Sequence, residues 1–220
     1  MPKKIGVLLS GCGYLDGAEI REAVVSLLAI DRAGAEAVCM APDIDQQHVI
    51  DHVSGKEMAG ERNVLVESAR IARGAIRDIK DVETSELDAL ILPGGYGAAK
   101  NLSDYAFKGK HCEVQPDVAA MMQAMMQAGK PIGVICIAPA VMAKVAQTSG
   151  ICVQLTIGND AETAAALTSM GAVHAETKVD DIIIDKEHKI VSTPAYMFED
   201  RISKVASGIE KLVGAVIEMS

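Results

Sequence analysis

Apolar positions recur along the chain in two patterns: short unbroken runs that end in glycine, serine or proline, and longer stretches in which they return every three to four residues. Ile5-Gly6-Val7-Leu8-Leu9 belongs to the first kind; closed by Ser10-Gly11, it reads as a buried strand feeding a turn. Over residues 18–33, Ile20, Val24, Leu27, Leu28 and Ile30 fall at helical spacing, with Asp16 as the expected cap and Gly34 as the stop. Residues 37–41 read as a second strand, closed by Pro42. The polar, mixed stretch 43–60, broken by Gly55 and Gly60, is expected to be a surface excursion. A helix over 62–73 and a strand over 87–92 follow, the strand ending in the sharp turn Pro93-Gly94-Gly95-Tyr96-Gly97. Next come a Met-rich helix over 117–128, a buried strand over 131–135 with Cys136 at its tip, and a helix over 139–145. A strand-like run over 153–157, a helix over 161–170, a hairpin pairing 182–184 with 190–192, and an amphipathic helix over 201–217 complete the pattern.

Strands alternating with helices imply an α/β domain with a mostly parallel central sheet covered on both faces, one domain spanning residues 1–220, and sites beyond the carboxyl ends of the strands. Three such ends carry unusual residues: Ser10-Gly11-Cys12-Gly13, Pro93 to Gly97, and Cys136. Composition narrows the function. Half the residues are hydrophobic but only 3% are aromatic and none is Trp, so the core is aliphatic. A net charge of -9, with no basic run longer than Lys3-Lys4, argues against a nucleic-acid partner. Five cysteines, an odd number without a C-x-x-C pair, argue against a disulfide framework or a zinc ribbon. The first apolar run is too short for a signal segment or a membrane span, so a cytoplasmic protein with no membrane partner is expected.

Cys136 carries the sharpest chemistry. A thiol at the point where a strand turns into a helix is presented outside the sheet, beside the positive end of the helix dipole, which favours thiolate. The backbone N–H of Ile137, with that of Gly95 on the neighbouring strand end, would then form an oxyanion hole. The opposing reading is that Cys136 is a small buried hydrophobe, the ordinary fate of a free cysteine.

Four motifs in order, Ser10-Gly11-Cys12-Gly13 with Asp16 to Ile20, Pro93 to Leu102, Ile135-Cys136-Ile137-Ala138-Pro139-Ala140, and Thr193-Pro194-Ala195-Tyr196-Met197, resemble the ElbB-type proteins. These belong to the PfpI and class I glutamine amidotransferase-like superfamily. The resemblance spans essentially the whole chain. It implies a flavodoxin-like three-layer sandwich, a homodimer, no cofactor or metal, and a glyoxalase activity converting a small dicarbonyl, glyoxal, to glycolate without glutathione, with a link to isoprenoid biosynthesis. It further implies that Cys136 is the nucleophile, Gly95 an oxyanion-hole glycine, and an acidic residue of the first helix the partner of the thiol. Glu22 fits that role, with Glu19 one turn away as the alternative. Two departures separate the chain from hydrolytic relatives: Ile137, not histidine, follows the cysteine, and Val134 and Ala138 stand where the amidotransferase turn has glycines. Glutaminase or protease chemistry is therefore not expected. The alternative function is a redox-sensing or regulatory protein that uses the same thiol.

Other patterns in the chain compete with this one. Gly11-x-Gly13-x-x-x-Gly17 with Asp43 resembles a dinucleotide fingerprint, but Asp16 and Glu19 put negative charge where a pyrophosphate would sit. His48, Asp51 and His52, like His111-Cys112-Glu113, read as surface residues and not as metal ligands. His174 is a candidate distant base for the Cys136 site. The Met121 to Met126 segment reads as helix core, and Asp180, Asp181 and Asp185 as a solvated hairpin edge.

Overall fold

The computed structural model describes residues 1–220. In chain order the elements are β1 (Lys4–Leu8), α1 (Ile20–Arg32), β2 (Glu36–Ala41), β3 (Ile50–Asp51), β4 (Lys56–Glu57), α2 (Val64–Ile71), β5 (Ile76–Asp78) and β6 (Ala89–Leu92). They continue with α3 (Tyr96–Lys100), α4 (Tyr105–Lys108), α5 (Pro116–Gln127), β7 (Ile132–Ile135), α6 (Ala138–Thr148) and β8 (Gln154–Leu155). The last are α7 (Ala161–Ser169), β9 (Val173–His174), β10 (Ile183–Asp185), β11 (Ile190–Thr193) and α8 (Ile202–Met219).

Seven strands form one sheet in the order β10-β11-β7-β6-β1-β2-β5, parallel throughout except for β10, which runs antiparallel to β11. The unbroken apolar runs of β6 and β7 are buried at every position because helices cover both faces. On one face α5 and α6 pack Val118, Met122, Met125, Val141 and Met142 over Leu90, Leu92, Ile132 and Val134. On the other, α1 and α8 pack Ile30, Ile209, Leu212 and Val216 over Ile5, Val7, Ile91 and Ile135. The Met-rich segment is thus core, as its spacing predicts. At the centre of β7, a side chain on Gly133 would stand 2.7 Å from Leu212 Cδ2, so glycine lets α8 lie directly on the sheet.

The chain leaves β1 to build β2 and β5 on one side, then returns to place β6 on the other. The carboxyl ends of β1 and β6 therefore flank a topological switch point, the place where such sheets open a crevice.

Several elements depart from expectation. The late hairpin is not an appendage, because β11 pairs in parallel with β7 and so extends the main sheet. The run over 153–157 yields only the two residues of β8, paired with β9 outside that sheet. The edge strand β5 was not expected; two of its three residues, Arg77 and Asp78, are polar, as a strand paired on only one side allows. Nor is 43–60 all surface: Val49 and Gln46 are buried, and the β3-β4 hairpin packs its first strand against the loop after β1. Asp16 does not cap α1. Its side chain is fully buried and accepts from Ile50 N at 2.7 Å, while Glu19 caps the helix through Glu22 N at 2.7 Å.

Candidate active site

Cys136 sits between β7 and α6 with φ at +60°, a left-handed conformation that costs a non-glycine residue about 1 kcal/mol or more. The turn is held by the hydrogen bond from Cys136 N to Thr193 O of the adjacent strand, at 3.0 Å. This geometry throws the side chain up and out of the sheet. The residue is 8% exposed, in the wall of a cavity of about 650 Å³.

Two neighbouring loops close around it. After β1, the chain from Gly11 to Glu19 is bolted to the glycine-rich turn after β6: Glu19 N donates to Gly94 O (2.9 Å), Tyr96 N to Tyr14 O (2.7 Å) and Gly97 N to Gly17 O (2.8 Å). The Asn101 side chain fastens both, donating to Ser10 O and Asp16 O at 2.9 Å each and accepting from Gln47 N at 3.0 Å. Gly94 and Gly95 are required by closeness. A Cβ on Gly94 would stand 2.5 Å from Cys136 Cβ and 2.8 Å from Glu22 Oε2, and one on Gly95, whose φ is +93°, would collide with Glu19 N and Gly17 O. With no side chains there, the N–H groups of Gly95 and Ile137 both reach the Cys136 sulfur.

Glu22, on the first turn of α1, is completely buried beside that sulfur. Its Oε2 accepts from Gly94 N at 2.8 Å and its Oε1 from Tyr196 N at 3.3 Å. Burial, followed by the charge of Glu19, pushes its carboxyl up to about 8 despite those two donors and the thiol. Burial also pushes Glu19 up, less far, since that side chain opens onto the cavity. The thiol moves the same way. Burial and the Glu22 carboxylate raise it well above its ordinary value, outweighing the two amides that favour thiolate. Burial thus opposes the helix dipole and the two amides, and favours the protonated form of both the thiol and the carboxyl.

The structure thus gathers Cys136, Glu22, Gly95 and Ile137, with Glu19 behind Glu22 as its cap and charged neighbour. It does not bring His174 to them: Nε2 of that ring lies 3.4 Å from Ile157 N, and its side chain is not part of the cavity wall. Sequence reasoning missed the amide of Tyr196, which is aimed at Glu22 because Ala195 takes φ +45°. The motif around Ala195 and Tyr196 marked the segment, but nothing in its letters announces an alanine in the left-handed region.

A doubly covered parallel sheet with a left-handed cysteine elbow at the end of β7, one strand from the switch point, and a carboxyl group against the thiol defines a class of α/β proteins. Within that class the chain belongs to the DJ-1/PfpI family, whose sequence model matches residues 12–151. It is 44% identical over 227 residues to human glutamine amidotransferase-like class 1 domain-containing protein 3, mitochondrial, covering 99% of this chain and 83% of that protein. The ES1 protein, mitochondrial, of Danio rerio is 31% identical over 235 residues, with 98% and 86% covered. Among solved structures, an isoprenoid biosynthesis protein with an amidotransferase-like domain from Ehrlichia chaffeensis superposes with a TM-score of 0.91 at 37% identity, covering 98% of this chain and 99% of that one. Drosophila melanogaster DJ-1beta shares the fold, with a TM-score of 0.53 at 18% identity over 100% and 96% of the two chains.

Proposed function

We propose that this protein is a cofactor-independent glyoxalase of the ElbB type, which converts glyoxal or a similar small dicarbonyl to the hydroxy acid through Cys136. The observation that carries this reading is the buried Glu22 carboxyl in contact with a thiol on which two backbone amides converge. In the productive state the pair holds one proton. As the sulfur adds to a carbonyl carbon of glyoxal, the thiol proton passes to the Glu22 carboxylate and on to the new alkoxide, giving a neutral hemithioacetal. Developing negative charge on that oxygen falls within reach of Gly95 N and Ile137 N. Glu22 then removes the C–H proton next to sulfur, giving an enediolate; the hydroxyl proton on that carbon passes to the neighbouring oxygen, and Glu22 returns its proton to the neighbouring carbon, giving the hydroxyacetyl thioester. Water cleaves the thioester, releasing glycolate and the thiol. The net change is glyoxal plus water to glycolate, with no outside oxidant or reductant.

A carboxyl placed to take the thiol proton supports this reading over the redox sensor, because addition to an aldehyde delivers that proton to the new oxygen. We place the activity in a reducing compartment, the cytoplasm, consistent with five free cysteines. The test is glycolate production from glyoxal by purified protein. Cys136→Ala abolishes it on this reading, and Glu22→Gln lowers it by about two orders of magnitude, the usual worth of a positioned acid-base group. Undiminished turnover by Cys136→Ala refutes the proposal.

A further inference from the structure

The cavity over Cys136 is far larger than glyoxal needs. At about 650 Å³ it has the size of sites that hold drug-sized ligands, and a two-carbon dicarbonyl fills a small part of it. Its walls are also unlike the rest of the molecule. The chain has four tyrosines and no tryptophan, and all four, Tyr14, Tyr96, Tyr105 and Tyr196, line this one cavity. They come from the loop after β1, from α3, from α4 and from the segment after β11, so no single stretch of sequence accounts for their meeting. The charged side chains of the wall are Glu19, Asp160 and Glu162, and no Lys, Arg or His is among its residues. Asp160 is held ionised, its carboxylate accepting from Thr163 N at 2.8 Å at the start of α7.

Two cations, Lys100 and Arg21, pack on tyrosines of the wall and both are committed; His52 and Arg201 lie in the adjoining hollow that shares Tyr14, Glu19 and Tyr196. Lys100 Nζ donates to Leu15 O at 2.9 Å and lies 5.1 Å from the Tyr96 ring centre. Arg21 donates to Tyr196 Oη at 3.2 Å, with its guanidinium 5.8 Å from that ring centre. Tyr14 and Tyr105 carry no such partner, and the carboxylates of Asp160 and Glu162 form no ion pair. Aromatic faces and carboxylates around a cavity that lacks basic groups are the chemistry that recognises a positive charge and repels a negative one.

Resting on the glyoxalase reading for the reaction itself, we infer that the site is built for a carbonyl substrate with a cationic arm, an ammonium or guanidinium, which lies against Tyr105 and the Asp160 and Glu162 carboxylates while the carbonyl meets Cys136. Anionic aldehydes, phosphorylated or carboxylated, are excluded.

The test needs no turnover, so it can fail while the glyoxalase reading stands, and the reverse. Rates of Cys136 modification by the cationic reagent aminoethyl methanethiosulfonate and the anionic reagent sulfonatoethyl methanethiosulfonate are measured by peptide mass spectrometry. The exposed Cys152 of the same molecules serves as the reference for overall protein charge. The expected preference for the cation is at least about tenfold greater at Cys136 than at Cys152, equivalent to the ~1.4 kcal/mol of a desolvated cation-aromatic contact. In Asp160→Asn/Glu162→Gln, where asparagine keeps the helix cap, that excess falls severalfold. Equal preference at the two cysteines, or an excess that the double variant leaves in place, overturns the inference.

Discussion

At the scale of single residues the site turns on Glu19 and Glu22, two carboxyls three positions apart on the same helical face. Only Glu22 touches the thiol and the Gly94 amide. Glu19 acts through it, as a cap for the helix and as a negative charge that helps keep Glu22 protonated. Glu19→Gln keeps an oxygen for the cap but removes the charge. If Glu22 must lose its proton to work, glyoxal conversion by the wild type rises with pH through about 8, and in Glu19→Gln that limb moves to lower pH. The rate at pH 7 then increases by about two- to tenfold, one pKa unit being tenfold in the ionised fraction. The check is a profile of kcat/KM against pH for both proteins. A merely structural Glu19 would lower the rate at every pH and leave the limb where it was.

At the scale of elements, what positions the pair is the lock between the loop after β1 and the turn after β6, and Asn101 is its pin. The side chain is buried and satisfies two buried carbonyls and one part-buried N–H. Asn101→Ala orphans these groups at a cost of ~1–3 kcal/mol each before relaxation, so a net loss of about 3 kcal/mol in urea unfolding is expected, with glyoxal turnover falling as the amides drift from the sulfur. Little of this lock is visible in sequence. The runs that became β1, β6 and β7 announced themselves because strands buried on both faces have no polar positions to blur them, and Gly34 marked the end of α1. The Cys136 elbow was legible for the same reason: a short apolar run stopped at a cysteine with a helical pattern behind it. Asp16 misled because an aspartate ahead of an apolar stripe has the composition of a cap, and only the fold reveals that Ile50 N claims its carboxylate. The edge strand β5 and the buried parts of 43–60 were hidden because half-exposed elements mix polar and apolar residues without a period.

At the scale of the whole molecule, keeping a carboxyl and a thiol dry beside each other ties the stability of the fold to pH. Glu22 titrates at about 8 in the folded chain against 4.5 when unfolded. Between those values the folded state holds a proton that the unfolded state releases, so stability is greatest below the lower value and declines as pH rises through the upper one. Each unit of separation is worth ~1.4 kcal/mol, which makes the decline on the order of a few kcal/mol. The raised Cys136 thiol has the same sign and extends the decline to more alkaline pH. Glu22→Gln removes the carboxyl's share while keeping one oxygen for Gly94 N or Tyr196 N; its amide then leaves one of those donors without an acceptor, a penalty that does not vary with pH. Urea unfolding at pH 5.5 and pH 8.5 should show the wild type losing stability across the interval and Glu22→Gln losing markedly less, even though the variant starts lower. Parallel slopes in the two proteins would mean that Glu22 is already ionised at neutral pH, and the alkaline limb predicted above for glyoxal conversion would have to be abandoned.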